Sequence, residues 1–220
     1  MRPGSAMTRP MAHHAGRAHG AALVTVLFLM LAVLMMSASS TRAALAAVKS
    51  ARAERDRHIA HQSAEVALRD AERDIAGAAG PASPRTAIFV AADAGAFVVA
   101  CAGSGERAGL CRLVAPPGVP AWQALDLAGP ASVEYGRFTG ATLPTGAGLL
   151  PARPPRYIVE LLALPGADPL YRITAIGFGA SDTTRVVLQG HYRRASASTP
   201  ARRLGWREVA NWTELHAASL

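Results

Sequence analysis

From Gly20 to Thr41 the chain carries no formally charged residue, and its strongly apolar part, "AALVTVLFLMLAVLMM", fills Ala21–Met36. Nothing else in the sequence limits the possible folds as much. At 1.5 Å per residue a helix over this stretch extends roughly 33 Å, about the thickness of a bilayer's hydrocarbon core. Ahead of it stand Arg2, Arg9 and Arg17 with His13, His14 and His19, and no acidic residue. That charge asymmetry keeps the amino end in the cytoplasm and sends the remainder of the chain outward. Two rival readings compete here: a secretory signal peptide cut near the small residues Ala44–Ala46, and an ordinary uncleaved anchor.

The segment after the apolar run bears on that choice. Between Thr41 and Ala76 there is neither proline nor glycine, and alanine, leucine and charged residues, all good helix formers, dominate. Ala60, Ala64, Ala67, Leu68, Ala71 and Ile75 recur at the spacing of one buried helical face. Glu65 and Arg69 form an i, i+4 pair in the favourable order. Gly77 and Gly80-Pro81 supply the stop. The pattern predicts one helix from about Ala21 to Ala76, roughly 84 Å long, lipid-soluble in its first half and amphipathic in its second. A helical pattern that runs on through Ala44–Ala46 argues against cleavage there.

Past Gly80 the pattern changes to short β-prone runs. Residues 86–92 (TAIFVAA) and 96–101 (AFVVAC) are predicted strands, with a tight turn over Asp93–Gly95. "RYIVELL", "LYRITAIGF" and "TRVVLQGHYR" are rich in β-branched and aromatic residues. In the last, Val186, Leu188 and Gly190 alternate with Val187, Gln189 and His191, as in a half-buried strand. Residues 115–155, dense in proline and glycine, read as a loop region pegged by Trp122. The last 26 residues begin as a polar linker and end as an amphipathic helix carrying Trp206, Val209 and Trp212 on one face. Those aromatics either dock a partner or cover the domain's own core.

The formal net charge is +8, and Lys49 is the single lysine. The arginines run from Arg2 to Arg207 interleaved with acids, which argues against a nucleic-acid footprint. His58 and His61 sit among arginines on the charged helix, where solvation explains them better than catalysis does. No nucleophile elbow, phosphate-binding glycine loop or catalytic carboxylate pair is apparent, so neither an enzymatic reaction nor a cofactor is expected.

Three stretches carry a resemblance to the PilX family of minor type IV pilins. They are the basic leader ending in Gly20 with its apolar run, "QSAEVALRDAE" (62–72), and the carboxy-terminal series "PRYIVE", "YRITAIGFG", "TRVVLQGHYRR" and "GWRE". The resemblance implies an α+β pilin-like fold. A long amino-terminal helix, membrane-spanning in its first half and amphipathic in its second, packs on a small antiparallel sheet of three strands. It divides the chain into a leader (1–20), the helix (21–79), a periplasmic α+β domain (80–194) and a tail (195–220). By the same resemblance, a prepilin peptidase cuts after Gly20, and Ala21 becomes a methylated amino-terminus. Major pilins carry glutamate at the fifth mature position, where this chain has Thr25. The departure implies a subunit laid down at the filament tip, or else a tolerated substitution.

The partners implied are other minor pilins, the major pilin, the inner-membrane assembly platform, a tip adhesin and the lipid bilayer. The protein would sit in the inner membrane as a single-pass protein and then at the pilus tip. Other readings are a minor pseudopilin of type II secretion, whose tip subunit usually has a much larger outer domain, and an uncleaved bitopic scaffold. Cys101 and Cys111, in a domain facing an oxidising periplasm, suggest a disulfide. A zinc site would need two further ligands that no nearby motif supplies, so no metal is expected.

Overall fold

The computed structural model describes residues 19–162, 168–196 and 199–219. The leader residues 1–18, including Arg2, Arg9, Arg17, His13 and His14, lie outside the described residues. The chain divides into two units, Met1–Ala51 and Arg52–Leu220.

In the first unit the described chain is all helix. Helix α1 starts at His19 and continues to Ala76 in the second unit, so the helical expectation holds. It is long and apolar enough to cross a membrane, and Leu23, Phe28, Leu34 and Met36 are among its many exposed large side chains. Its hydroxyls fold back on the helix: Ser37, Ser40 and Thr41 donate to the carbonyls of Val33, Met36 and Ser37, four residues earlier. In hydrocarbon, where water cannot help, such internal bonds remove the cost of a bare hydroxyl.

The second unit is α+β. Its sheet contains β1 (Leu110–Cys111), β2 (Val133–Glu134), β3 (Arg156–Leu162), β4 (Leu170–Phe178), β5 (Arg185–Arg193) and β6 (Arg202–Glu208). The order is β1-β3-β4-β5-β6, with β2 also on β3. β3, β4, β5 and β6 are joined antiparallel and β1 runs parallel to β3. The three expected strands are therefore present, and β-branched residues fill both of their faces.

One sheet face receives α1. Ala60, Ala64, Ala67, Leu68, Ala71 and Ile75, the stripe read from the sequence, are all buried against Tyr157, Val159, Ile173, Ala175, Val186 and Leu188. Alanine lets the helix come close, and glycine in the sheet lets it come closer. A Cβ on Gly177 would run into the Ala60 carbonyl oxygen and the Ala64 nitrogen. Gly77, at φ 104°, ends the helix, and the Ala78 N–H bonds back to the Arg73 carbonyl at 3.0 Å. The other sheet face carries a second core of Trp122, Leu127, Ile158, Ile176, Phe178, Val187, Val209 and Trp212. Each large aliphatic side chain buried in this way contributes about 1.5–3 kcal/mol.

Three expectations need correction. Residues 86–92, read as a strand, belong mostly to helix α2 (Pro84–Ala91). The Ser83 hydroxyl caps its first turn by accepting the Arg85 N–H at 3.2 Å, proline occupies the first helical position, and Ala92 closes it at φ 48°. A cap and a proline at the start outweigh the β-branched composition. Residues 96–101, also read as a strand, form parts of two 3-10 turns, Ala94–Ala96 and Val99–Cys101, with only Val98 bridging to Cys111. The Asp93 carboxylate accepts the Gly95 N–H at 2.9 Å in the turn expected there.

The tail is the third. Arg202–Glu208 is a strand, and only Trp212–Ala217 is helical (α4), α3 being the single turn Ala121–Ala124. Trp206, Val209 and Trp212 thus do not share a helical face. Val209 and Trp212 are buried, and the Trp212 indole N–H donates to the Trp122 carbonyl at 2.9 Å. The pairing of β6 with β5 overrides the weak strand propensity of its arginines and glycine.

Candidate assembly site

The residues expected to matter for processing lie in the first turns of α1. Gly20 and Ala21 are exposed, and nothing lies within contact of a Cβ built at Gly20. Thr25 is also exposed, and its hydroxyl donates to the Ala22 carbonyl at 2.8 Å. This position is therefore neutral and satisfied by its own helix. From Gly20 to Thr41 no carboxylate faces the surroundings of α1.

The amphipathic half of α1 is tied to the rest of its unit by a series of polar contacts. Asp56 accepts from the Thr184 hydroxyl and, at 3.2 Å, from the Ser181 N–H, so it binds the β4–β5 turn. Desolvation is the largest single influence on the Asp56 carboxyl and acts upward, yet the Thr184, Ser181 and Ala180 donors and the Arg55 charge together hold it below the ordinary carboxylate value. Arg57 reaches Glu208 at 2.7 Å, and Glu72 takes two bonds from Arg203 at 2.5 and 2.9 Å. Asp70, buried, receives the Gly136 N–H at 2.8 Å and the Thr139 hydroxyl at 2.5 Å, which fixes the segment after β2.

The strongest tie is buried. Arg85, at the start of α2, is fully enclosed and grips Asp74 of α1 through Nη2 at 2.7 Å and Nε at 3.2 Å. Its Nη1 donates to the carbonyls of Glu106 and Ala108 at 2.6 and 2.9 Å, and its guanidinium lies 4.1 Å from the Phe138 ring centre. The Tyr157 hydroxyl donates to Asp74 at 2.9 Å. Burial pushes the Asp74 carboxyl up, against the pull of Arg85 and Tyr157. Burial and the neighbouring carboxylate both push the Tyr157 phenol well above its usual value. No sequence motif marked these residues; the only available hint was two aspartates, Asp70 and Asp74, one helical turn apart beside the alanine stripe.

Cys101 and Cys111 are joined in a disulfide. Both are buried in the second core, and the bond ties the Val99–Cys101 turn to β1. Among the described residues no group of three His, Cys, Asp or Glu side chains is placed to hold a metal ion. His58 is exposed 3.9 Å from Glu54, in the solvated setting expected of it. His61 instead meets Trp206 edge-on, with 5.8 Å between ring centres. What the described residues present is a helix whose first half is apolar and exposed, followed by a domain held to its second half by polar ties.

The sequence matches two family models. Residues 19–69 match the model described as PilX N-terminal, and residues 101–194 match Type IV pilus assembly protein PilX C-term. The first match contains Thr25 and the α1 stripe as far as Leu68. The second runs from the disulfide to the end of β5, and β6 and α4 lie beyond it. No curated protein and no solved structure matches.

Proposed function

The chain belongs to the PilX family of type IV pilus assembly proteins, and on that premise we propose that this minor pilin primes pilus assembly and sits at or near the filament tip. It is a single-pass inner-membrane protein until it enters the filament. The domain after α1 lies in the periplasm, and prepilin peptidase removes the leader after Gly20, leaving Ala21 as the methylated amino-terminus. The partners are other minor pilins, the major pilin, the assembly platform and a tip adhesin. The PilX family is structural, and the reading asks no reaction of this chain.

The observation that carries the tip assignment is Thr25. In the pilins this chain resembles, a glutamate at the fifth mature position pairs with the amino-terminus of a subunit already in the filament. A carboxylate in hydrocarbon is costly unless paired, so that pair rewards entry of each added subunit. Thr25 satisfies its hydroxyl on the Ala22 carbonyl and offers no charge to such an amine. A subunit of this kind suits the first position, which has no earlier subunit to meet.

The test begins with the mature amino-terminus, measured by mass spectrometry on membranes from cells with and without prepilin peptidase. A peptidase-dependent start at Ala21 is expected, and a strain lacking this chain should make few or no pili. An unprocessed amino-terminus in both strains, or full piliation without the chain, overturns the reading.

A further inference from the structure

Strand β6 pairs only with β5, and among the described residues none of its backbone groups bonds to anything else. It is an open sheet edge, and the register shows which groups face outward. The Val209 N–H bonds to the Val187 carbonyl at 2.9 Å, and the ladder proceeds through Leu188↔Glu208, Gln189↔Arg207 and Gly190↔Trp206. In an antiparallel pair, hydrogen-bonded and non-hydrogen-bonded positions alternate. Arg207 therefore points its N–H and C=O at β5, whereas Trp206 and Glu208 point theirs away from the sheet.

The side chains along this edge are unusual for a surface left to water. Leu204 and Trp206 are 49% and 48% exposed. Of the charges on β6, Arg203 is matched by Glu72 and Glu208 by Arg57. Arg202 makes no ion pair among the described residues, and Arg207 only donates to Gln189 at 3.1 Å. On the face that Arg207 shares lie Arg172 and His191, with Glu160 already held by Arg172 at 2.7 Å. The edge is thus apolar beside Trp206 and uncompensated positive beside Arg207.

Edge strands are commonly blunted by charge and bulges, and β6 has both, with a register shift where Leu204 interrupts the ladder. The bulge lies at one end, however, and leaves Gly205–Glu208 as an unbroken run.

We propose that this edge accepts an added strand: an extended segment of another pilus protein, carrying a carboxylate opposite Arg207 and an apolar side chain opposite Trp206. Backbone bonds to the Trp206 and Glu208 peptides give affinity, and the alternating acid and apolar residues give selectivity. A second copy of this chain is the wrong occupant, because arginines outnumber the single glutamate on β6 and two such edges repel. The proposal rests on the pilus reading.

The test compares Trp206→Pro with Trp206→Ala in the full chain. Proline removes the outward N–H while leaving the β5 ladder intact, and alanine removes the indole alone. With thermal unfolding in detergent alike for both, proline should lower the number of pili by about tenfold relative to alanine, the weight of one lost hydrogen bond. Hydrogen exchange on the unmodified chain gives an independent readout. The Trp206 and Glu208 amides should exchange freely in the detergent-solubilised protein and become protected in purified pili. A photo-crosslinker at Leu204 should join the chain to a different protein, at a segment containing a carboxylate. Equal piliation of the two variants, unprotected amides in pili, or a crosslink to a second copy overturns the proposal. If deleting the whole chain also leaves piliation intact, the functional reading has failed as well; if deletion abolishes pili, only strand addition has.

Discussion

The two halves of α1 are built from one secondary structure and obey opposite rules. Before Ala51 the described helix buries almost nothing, and the Thr25, Ser37, Ser40 and Thr41 hydroxyls are satisfied within the helix itself. From Asp56 onward several of its carboxylates are satisfied by other elements: Asp56 by the β4–β5 turn, Glu72 by β6, Asp74 by α2 and β3. The first half suits a surround of lipid because it needs no partner in its own chain. The second half is helical because tertiary contacts hold it, and helix propensity alone would not fix which face turns inward.

The contrast is broken most severely at Asp74. Asp74→Ala leaves the enclosed Arg85 guanidinium without its counter-ion, a loss of about 3–5 kcal/mol. Chemical denaturation of the detergent-solubilised chain should show it, and a change below about 1 kcal/mol would mean that the Glu106 and Ala108 carbonyls suffice for Arg85. Leu29→Asp attacks the other half. It should cost about 3–4 kcal/mol of membrane insertion, reducing the membrane-bound fraction while leaving the unfolding of the second unit unchanged. Were Leu29 part of a protein core, that unfolding would move too.

Gly177→Ala sharpens the comparison at the closest approach of helix and sheet. The added methyl meets backbone atoms of Ala60 and Ala64, and overpacking of this kind costs about 1–3 kcal/mol. Ala38→Gly, in the unpacked half, should leave the unfolding midpoint where it is.

The smallest effect belongs to His191. Burial first, then Arg172 and Arg207, holds its pKa below the ordinary value of 6.5. The unfolded chain therefore binds the proton first. Stability is full above about pH 6.5 and declines as pH falls from there through the folded-state pKa. Unfolding midpoints at pH 7.5 and 5.5 should differ by less in His191→Gln than in the parent chain, and an unaltered difference would remove His191 from the account.

Legibility in the sequence divides along the same line. The apolar run, the alanine stripe, the Gly77 stop, the β-branched composition of β3 and β4 and the alternation in β5 are all signals internal to their own segments, and such signals survive without knowledge of neighbours. Helix α2 is hidden because Ile88, Phe89 and Val90 look like a strand, although Ser83-Pro84 is a helix-start signal that outranks them. Strand β6 has no such signal. "RRLGWRE" neither alternates nor favours extended backbone, and only its pairing with β5 makes it a strand. The disulfide is suggested by two cysteines in one short loop, whereas the Arg85–Asp74–Tyr157 contact joins residues that nothing in the sequence relates.

Thr25 also has a bearing on protons. A glutamate held in hydrocarbon without a partner is most stable neutral, so it must give up a proton when it pairs with an amine. Entry of such a subunit into a filament is then linked to pH and to wherever that proton goes. Threonine takes up and releases none. With its hydroxyl hydrogen-bonded to the Ala22 carbonyl, Thr25 leaves this position of the helix proton-neutral at any pH.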